Sequence, residues 1–135
     1  MVVKPSEKAP LSVAALSEVF DCLPPGVFNI VLGNGATGSA LIENPDVDLV
    51  HFTGSVATGR KVGAVAGARL IPCFLELGGK DPLIIDEDVD IKWAAEIAVT
   101  GSLFNTGQVC TSVERIYVHK NIAEPFISEL VAQAS

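Results

Sequence analysis

Two residues of this sequence, Glu76 and Cys110, are of the types that supply a general base and a nucleophile. Glu76 ends the apolar run 70–75 and is followed closely by two glycines, a pattern typical of a buried strand that ends in a tight turn. A carboxylate there must be paired or functional, because a desolvated, unpaired charge is costly. Cys110 follows Gly107 in a polar loop, where a thiol can be partly exposed and reactive.

Both residues also have ordinary structural interpretations. Glu76 could form an ion pair with Lys80 or Arg115, and the residues alone leave that alternative open. Cys110 could be a small buried hydrophobic residue, although its polar loop argues against this. We predict that role for the two remaining cysteines, Cys22 and Cys73.

Composition narrows the class of protein. The chain has 135 residues, of which 49% are apolar, a net charge of −7 and no cluster of Lys and Arg, so we expect no nucleic-acid partner. No apolar stretch reaches the ~18 residues of a membrane span, and the start lacks a signal-peptide pattern, so we expect a cytoplasmic protein without a membrane segment. Three widely spaced cysteines indicate neither a disulfide framework nor a metal site.

The apolar periodicity alternates between strands and helices, which favours an α/β fold with parallel strands and helices on both faces of the sheet. Proline and glycine punctuate the segments. The predicted strands are 27–32, 48–52, 70–76, 82–85 and 115–118, with the end of a further strand at 2–5. The predicted helical segments are 10–20, a short helix that ends at Glu43, a loop and helix over 54–67, and the helices 89–105 and 122–134. The acid-rich stretch 86–90 is predicted to cap and solvate a helix start.

Two glycine-rich turns are candidates for binding a phosphate. The turn 33–38 fits G-x-G-x-x-G between a strand and a helix, and on pattern alone it is the better candidate. The turn 54–59 also follows a strand and opens a helix, whose N–H groups could hold an anion. Either turn could be an ordinary loop, and Lys4 and Glu7 could be solvated charges at a helix start.

Four strings in the sequence resemble motifs of the NAD(P)-dependent aldehyde dehydrogenase superfamily. They are Lys4-Pro-Ser-Glu7, Phe52-Thr-Gly-Ser-Val-Ala-Thr-Gly59, Glu76-Leu-Gly-Gly-Lys80 and Gly107-Gln-Val-Cys110, and they occur in the order of the family. Together they span nearly the whole chain, so the resemblance is far more specific than one string would be.

The resemblance implies a partial Rossmann-like parallel sheet with helices on both faces, which runs into the start of a second α/β domain. Residues 1–77 would be part of the nucleotide-binding domain and residues 78–135 the start of the catalytic domain. Family members are several times longer, so we expect the central part of a longer protein, inactive by itself and forming homo-oligomers at full length.

The resemblance also implies the activity, oxidation of an aldehyde to a carboxylic acid through a thiohemiacetal and a thioester on Cys110, with Glu76 as general base. The cofactor would be NAD, with NADP as the alternative, because a carboxylate at Glu7 would repel a 2′-phosphate. The cofactor-binding residues would be Lys4, Glu7, Gly35, Phe52, Gly54, Ser55, Thr58, Gly59 and Leu77. The family pattern favours the turn 54–59 for the pyrophosphate and places Gly35 on the adenine side.

Two other functions stay open. One is a non-catalytic nucleotide-binding or structural role. The other is an acylating aldehyde dehydrogenase, in which coenzyme A takes the acyl group. Glu76 argues against the second function, because acyl transfer to a thiol has no comparable need for a base that activates water.

Overall fold

The computed structural model describes all residues from 1 to 135 and divides into two compact units. Unit one consists of Met1–Thr53 and Ala57–Leu75, and unit two of Gly54–Val56 and Glu76–Ser135. The predicted division after residue 77 lies close to the border between Leu75 and Glu76. That these units correspond to a nucleotide-binding and a catalytic domain stays a prediction.

Unit one begins with short strands and helices whose ends follow from local sequence. Asn34 caps a helix because its side-chain Oδ1 accepts the N–H of Ala36 at 2.9 Å. The elements of this part of the chain are β1 (Val2–Val3), α1 (Pro10–Ala14), β2 (Asn29–Ile30), α2 (Gly35–Glu43), β3 (Val50–Gly54), α3 (Val56–Ala68) and β4 (Cys73–Leu77). β1 pairs in parallel with β2, and β3 pairs with β4.

The predicted helix 10–20 is helical throughout but changes type. α1 ends at Ala14 and a 3-10 helix continues from Ala15 to Phe20. The Ser17 hydroxyl donates to the carbonyl of Ala14 at 2.7 Å, a local bond that competes with the α-helical ladder.

The prediction of buried strands at 27–32 and 70–76 is wrong in extent and in burial. Only Asn29–Ile30 of the first run is a strand, and Leu32 is 57% exposed, because a two-stranded sheet leaves most of its faces open. The second strand begins at Cys73. Leu70, 92% exposed, has φ of 56° and closes the end of α3, since the residue after it donates to the carbonyl of Ala66.

Unit two has the larger core. Its elements are β5 (Asp81–Ile85), α4 (Ile91–Leu103), a 3-10 turn (Phe104–Gly107), β6 (Val113–Val118) and α5 (Ala123–Ala134). β5 and β6 are parallel, from Pro82 opposite Arg115 to Ile85 opposite Val118. The buried cluster consists of Ile85, Ala94, Ala95, Ala98 and Phe126, in which the small alanines of α4 allow the close approach of α5 and the sheet.

The predicted α/β class is confirmed, with the strands arranged as three two-stranded sheets. The acidic start of α4 caps the helix as predicted, since Asp90 accepts the N–H of Trp93 at 2.9 Å. None of the helices combines the length and the apolar character that a membrane span requires.

Candidate active site

Cys110 lies in a turn that directly follows an unusual backbone segment. After α4 the chain enters the left-handed region at Asn105 (φ 51°), Thr106 (φ 62°) and Gly107 (φ 73°). This conformation is strained for a β-branched residue such as Thr106 and favourable for glycine. It ends the helix earlier than the predicted residue 105 and redirects the chain toward Cys110.

The thiol of Cys110 is free and exposed in a turn that the N–H of Ser112 closes by donating to the carbonyl of Val109 at 3.0 Å. The main-chain N–H of Cys110 has no hydrogen-bond partner in the chain. An exposed thiol beside an unused N–H donor can attack a carbonyl carbon while the donor stabilises the resulting oxyanion.

Exposure alone does not distinguish Cys110 from the other cysteines. Cys22 is also exposed and Cys73 is partly exposed, so the prediction that both are buried hydrophobic residues is wrong. Cys22 follows the 3-10 helix at the start of the chain, and Cys73 begins β4, a strand of a two-stranded sheet that leaves it partly open.

Glu76 is the fourth residue of β4 and is exposed, so the burial that the strand pattern predicts for this position is wrong. Its carboxylate makes no ion pair, and both predicted partners are engaged elsewhere. The ammonium of Lys80 lies 2.6 Å from the carboxylate of Glu114, and the Nε of Arg115 donates to the carbonyl of Lys80 at 2.9 Å. The carboxylate of Glu76 is therefore available to a water molecule or a substrate.

Glu76 and Cys110 both belong to unit two and precede paired strands at the same end of the β5–β6 sheet. The segment that follows Glu76 lies close to Cys110, because a Cβ added at Gly79 would lie 3.6 Å from the carbonyl oxygen of Cys110. Three peptide units separate Glu76 from Gly79, which is at most about 11 Å between their Cα atoms. The structure thus brings the predicted base and nucleophile into one region of the unit. The structure holds no group of His, Cys, Asp or Glu suited to a metal ion.

A cleft of about 350 Å³ in unit one contains the predicted ribose-binding carboxylate. It is lined by Pro5, Ser6, Glu7, Pro10, Leu32, Gly33 and Asn34. The Lys4 ammonium lies beside it, where it donates to the carbonyls of Pro5 and Gly33 and lies 3.8 Å from the Glu7 carboxylate. Lys4 thus holds the cleft together, while the Glu7 side chain remains 58% exposed.

Most of the lining of this cleft lies in motifs that the sequence identifies. Pro5, Ser6 and Glu7 belong to the string Lys4-Pro-Ser-Glu7. Gly33 and Asn34 belong to the G-x-G-x-x-G turn, so that pattern was the available signal. Pro10 and Leu32 gave no signal, because an apolar residue that borders a cleft looks like any core residue in a sequence.

The remaining predicted cofactor residues lie at strand ends and helix starts. Gly35 begins α2, Phe52 and Gly54 lie in β3, Ser55 joins β3 to α3, Thr58 and the buried Gly59 lie in the first turns of α3, and Leu77 ends β4. Gly54, Ser55 and Leu77 belong to unit two and the others to unit one.

The sequence as a whole matches the model of the aldehyde dehydrogenase family over residues 1–135. The chain belongs to the aldehyde dehydrogenase family. The resemblance inferred from the four strings is therefore confirmed.

Members of the aldehyde dehydrogenase family with known sequences and structures resemble the chain over nearly its whole length. Betaine aldehyde dehydrogenase 1 of Rhizobium meliloti (strain 1021) is 45% identical over 132 residues, 96% of this chain and 27% of that protein. The solved NAD-dependent aldehyde dehydrogenase of Sinorhizobium meliloti is 40% identical with a TM-score of 0.92, over 97% of this chain and 27% of that one. A solved NADP-dependent enzyme of E. coli is 37% identical with a TM-score of 0.94, over 98% of this chain and 28% of that one. The chain thus spans about a quarter of the length of the relatives that it matches.

Proposed function

We propose that this chain carries the nucleophile and the general base of an enzyme that oxidises an aldehyde to a carboxylic acid with NAD or NADP. The observation that carries the proposal is the exposed Cys110 thiol with an unpartnered N–H, in the same unit as the unpaired carboxylate of Glu76. Membership of the aldehyde dehydrogenase family supports it.

The first step is the attack of the Cys110 thiolate on the aldehyde carbon. A C–S bond forms, the carbonyl π electrons move to oxygen, and the product is a tetrahedral thiohemiacetal on Cys110. The free N–H of Cys110 donates to the developing oxyanion. Because the turn around Cys110 is exposed, an aldehyde can reach the sulfur without a rearrangement of the core.

The bound nicotinamide would supply the oxidation by accepting a hydride from the carbon attached to Cys110, which leaves a thioester. Glu76 then takes a proton from a water molecule, whose oxygen attacks the thioester carbon. The C–S bond breaks, the thiolate of Cys110 is restored, and the carboxylic acid leaves. Glu76 returns its proton to solvent, for which its exposed position is suitable.

The cleft in unit one fits the adenosine end of such a cofactor. Its volume of about 350 Å³ lies within the range of small-molecule sites, and its lining is apolar apart from a few polar groups. The Glu7 carboxylate would accept hydrogen bonds from the ribose hydroxyls, with Lys4 fixing its position. The turn at Gly54 and Ser55, which opens α3, would receive the pyrophosphate. Gly35, Phe52, Thr58 and Gly59 of unit one, and Leu77 of unit two, remain predicted cofactor-binding residues, each within its own unit.

The carboxylate of Glu7 favours NAD, because a 2′-phosphate would bring like charges together. The names of the relatives include both NAD- and NADP-dependent enzymes, so NADP stays the alternative.

The three free thiols fit a reducing compartment, and we place the enzyme in the cytoplasm.

The proposal is tested in a hybrid enzyme, in which this chain replaces the 132 matching residues of the Rhizobium meliloti relative. The expected result is formation of NADH from betaine aldehyde and NAD. Cys110→Ser should abolish it, since a serine hydroxyl at neutral pH is a far weaker nucleophile than a thiolate. Cys22→Ser, which replaces the other exposed cysteine, should leave it unchanged.

Several results would contradict the proposal. NADH formation that survives in Cys110→Ser would remove Cys110 from the reaction. Cofactor binding without turnover would favour the non-catalytic role. Turnover that requires coenzyme A and yields an acyl-thioester product would favour the acylating reaction and leave Glu76 without its assigned step.

A further inference from the structure

The C-terminal end of α4 has carbonyl groups that need donors from outside the helix, because the last turn of any helix lacks intrahelical partners. The carbonyl of Thr100 accepts the N–H of Phe104. The next two carbonyls, of Gly101 and Ser102, each lie 3.3 Å from the hydroxyl of Ser112. The chain immediately after α4 turns left-handed, so these carbonyls depend on a residue ten and eleven positions downstream.

Ser112 is the one buried polar residue of the structure, at 6% exposure. Its two hydrogen-bond donors, the main-chain N–H and the hydroxyl, contact different parts of the chain. The N–H closes the turn around Cys110 by donating to Val109, and the hydroxyl joins that turn to the end of α4. A single residue thus fixes both the shape of the nucleophile turn and its attachment to the core helix.

The contact between the Ser112 hydroxyl and the end of α4, called the attachment below, is closely packed on both sides. A Cβ added at Gly107 would lie 3.1 Å from the carbonyl oxygen of Ser102, and one added at Gly101 would lie 3.1 Å from a methyl group of Val113. The loop that carries Cys110 therefore lies directly against the end of α4, and little displacement is possible while the Ser112 hydroxyl remains bonded.

We propose that Ser112 is a positioning residue for Cys110, an inference that rests on the proposed function. The hydroxyl touches neither aldehyde nor cofactor in the proposed reaction and acts only through the turn. It holds the thiol and the N–H of Cys110 in the fixed relation that attack and oxyanion stabilisation require. Without it, the carbonyls of Gly101 and Ser102 lose their donor and the turn separates from α4.

The chain offers a matched control. The hydroxyl of Ser102 is also buried, but it has no hydrogen-bond partner. Ser102→Ala therefore removes a buried hydroxyl without breaking a bond, whereas Ser112→Ala removes one and breaks the attachment. Ser112→Thr keeps a hydroxyl at the same position and serves as the conservative variant.

The first measurement is hydrogen exchange on the chain itself. In Ser112→Ala the hydrogen-bonded amides of this turn, those of Gln108 and Ser112, should exchange about fivefold faster, as expected for the loss of one hydrogen bond. The amides of β5 and of the first turns of α4 should keep their wild-type rates. Ser102→Ala should match the wild type and Ser112→Thr should largely restore it. Wild-type exchange in Ser112→Ala would overturn the proposal.

The second measurement is turnover of the hybrid enzyme, expressed per mole of folded protein, with the folded fraction of each variant taken from its urea unfolding curve. Ser112→Ala should lower kcat about tenfold with KM for NAD unchanged, because the change affects orientation and not cofactor binding. An unchanged kcat per folded enzyme would overturn the positioning role even if exchange accelerates. A hybrid without any turnover would contradict the proposed function, and the positioning role with it, while exchange would still show whether the attachment exists.

Discussion

At the scale of single residues, the sequence predicts which side chains matter better than it predicts their surroundings. The strings around Glu76 and Cys110 identify a base and a nucleophile, and the structure places both in unit two. The predicted burial of Glu76 is wrong, as is that of Cys22, because exposure depends on which strands and helices cover a residue. Ser112 gave no signal at all, since a serine that caps a distant helix end cannot be recognised from local sequence.

The choice of cofactor is decided at Glu7 in our account. Glu7→Gln in the hybrid enzyme should raise kcat/KM for NADP about fivefold relative to that for NAD, because it removes a negative charge near the expected 2′-phosphate. Steady-state kinetics with both cofactors measures this ratio. Glu18→Gln, which neutralises an acid of the 3-10 helix after α1, is the control and should not change it. The same ratio in Glu7→Gln and wild type would exclude Glu7 as the discriminating residue.

At the scale of elements, the sequence predicts a helix boundary where a local side chain makes it, and less well where the backbone makes it. The acidic stretch before α4 predicted a cap, and Asp90 supplies it. The end of α4 depends on the left-handed residues 105–107, two of which are not glycine, so periodicity extended the predicted helix too far. Leu70, which has a positive φ of 56° after α3, is a second example. Glycine usually takes this position at the end of a helix, so an apolar residue there gives no signal in the sequence.

Arg69, just after α3, is expected to be the main polar stabiliser of unit one. Its guanidinium donates to the carbonyls of Ile42, Pro45 and Val47 and so holds the loop that leads into β3. Arg69→Met keeps most of the aliphatic stem but removes these donors, and should lower the free energy of unfolding by about 2 kcal/mol.

Urea unfolding followed by circular dichroism measures that loss. The control is Arg60→Met, which changes an exposed arginine of α3 that makes no ion pair or cation–π contact, and it should be nearly neutral. Equal effects of the two substitutions would show that the loss of charge, and not the loss of the loop contacts, causes the destabilisation.

At the scale of the whole molecule, the alternation of strands and helices was sufficient to predict the α/β class. It was not sufficient to predict burial, because an apolar strand is covered only where a neighbouring element packs on it. The β5–β6 sheet shows this well. Leu83, Ile85, Ile116 and Val118 pack into the core, whereas Ile84 between them is 77% exposed.

This apolar face leads us to expect self-association of the chain, whereas the homo-oligomer of the full-length protein stays a prediction. Ile84 lies opposite the exposed Tyr117 on β6, so the two side chains form a continuous apolar surface. Sedimentation velocity over a range of concentrations should show association that Ile84→Lys weakens. Val131→Lys, an exposed apolar position on α5, is the control. Association that is unaffected by Ile84→Lys would place the contact elsewhere.

The central claim, that Cys110 holds the acyl group and Glu76 activates the water that releases it, is tested most directly by trapping the intermediate. The Glu76→Gln hybrid enzyme is mixed with aldehyde and NAD, quenched in acid and digested, and the mass of the Cys110 peptide is measured. We predict one burst of NADH with a matching acyl group on that peptide, absent from the Cys22 peptide. An unmodified Cys110 peptide together with wild-type steady-state turnover would contradict the account.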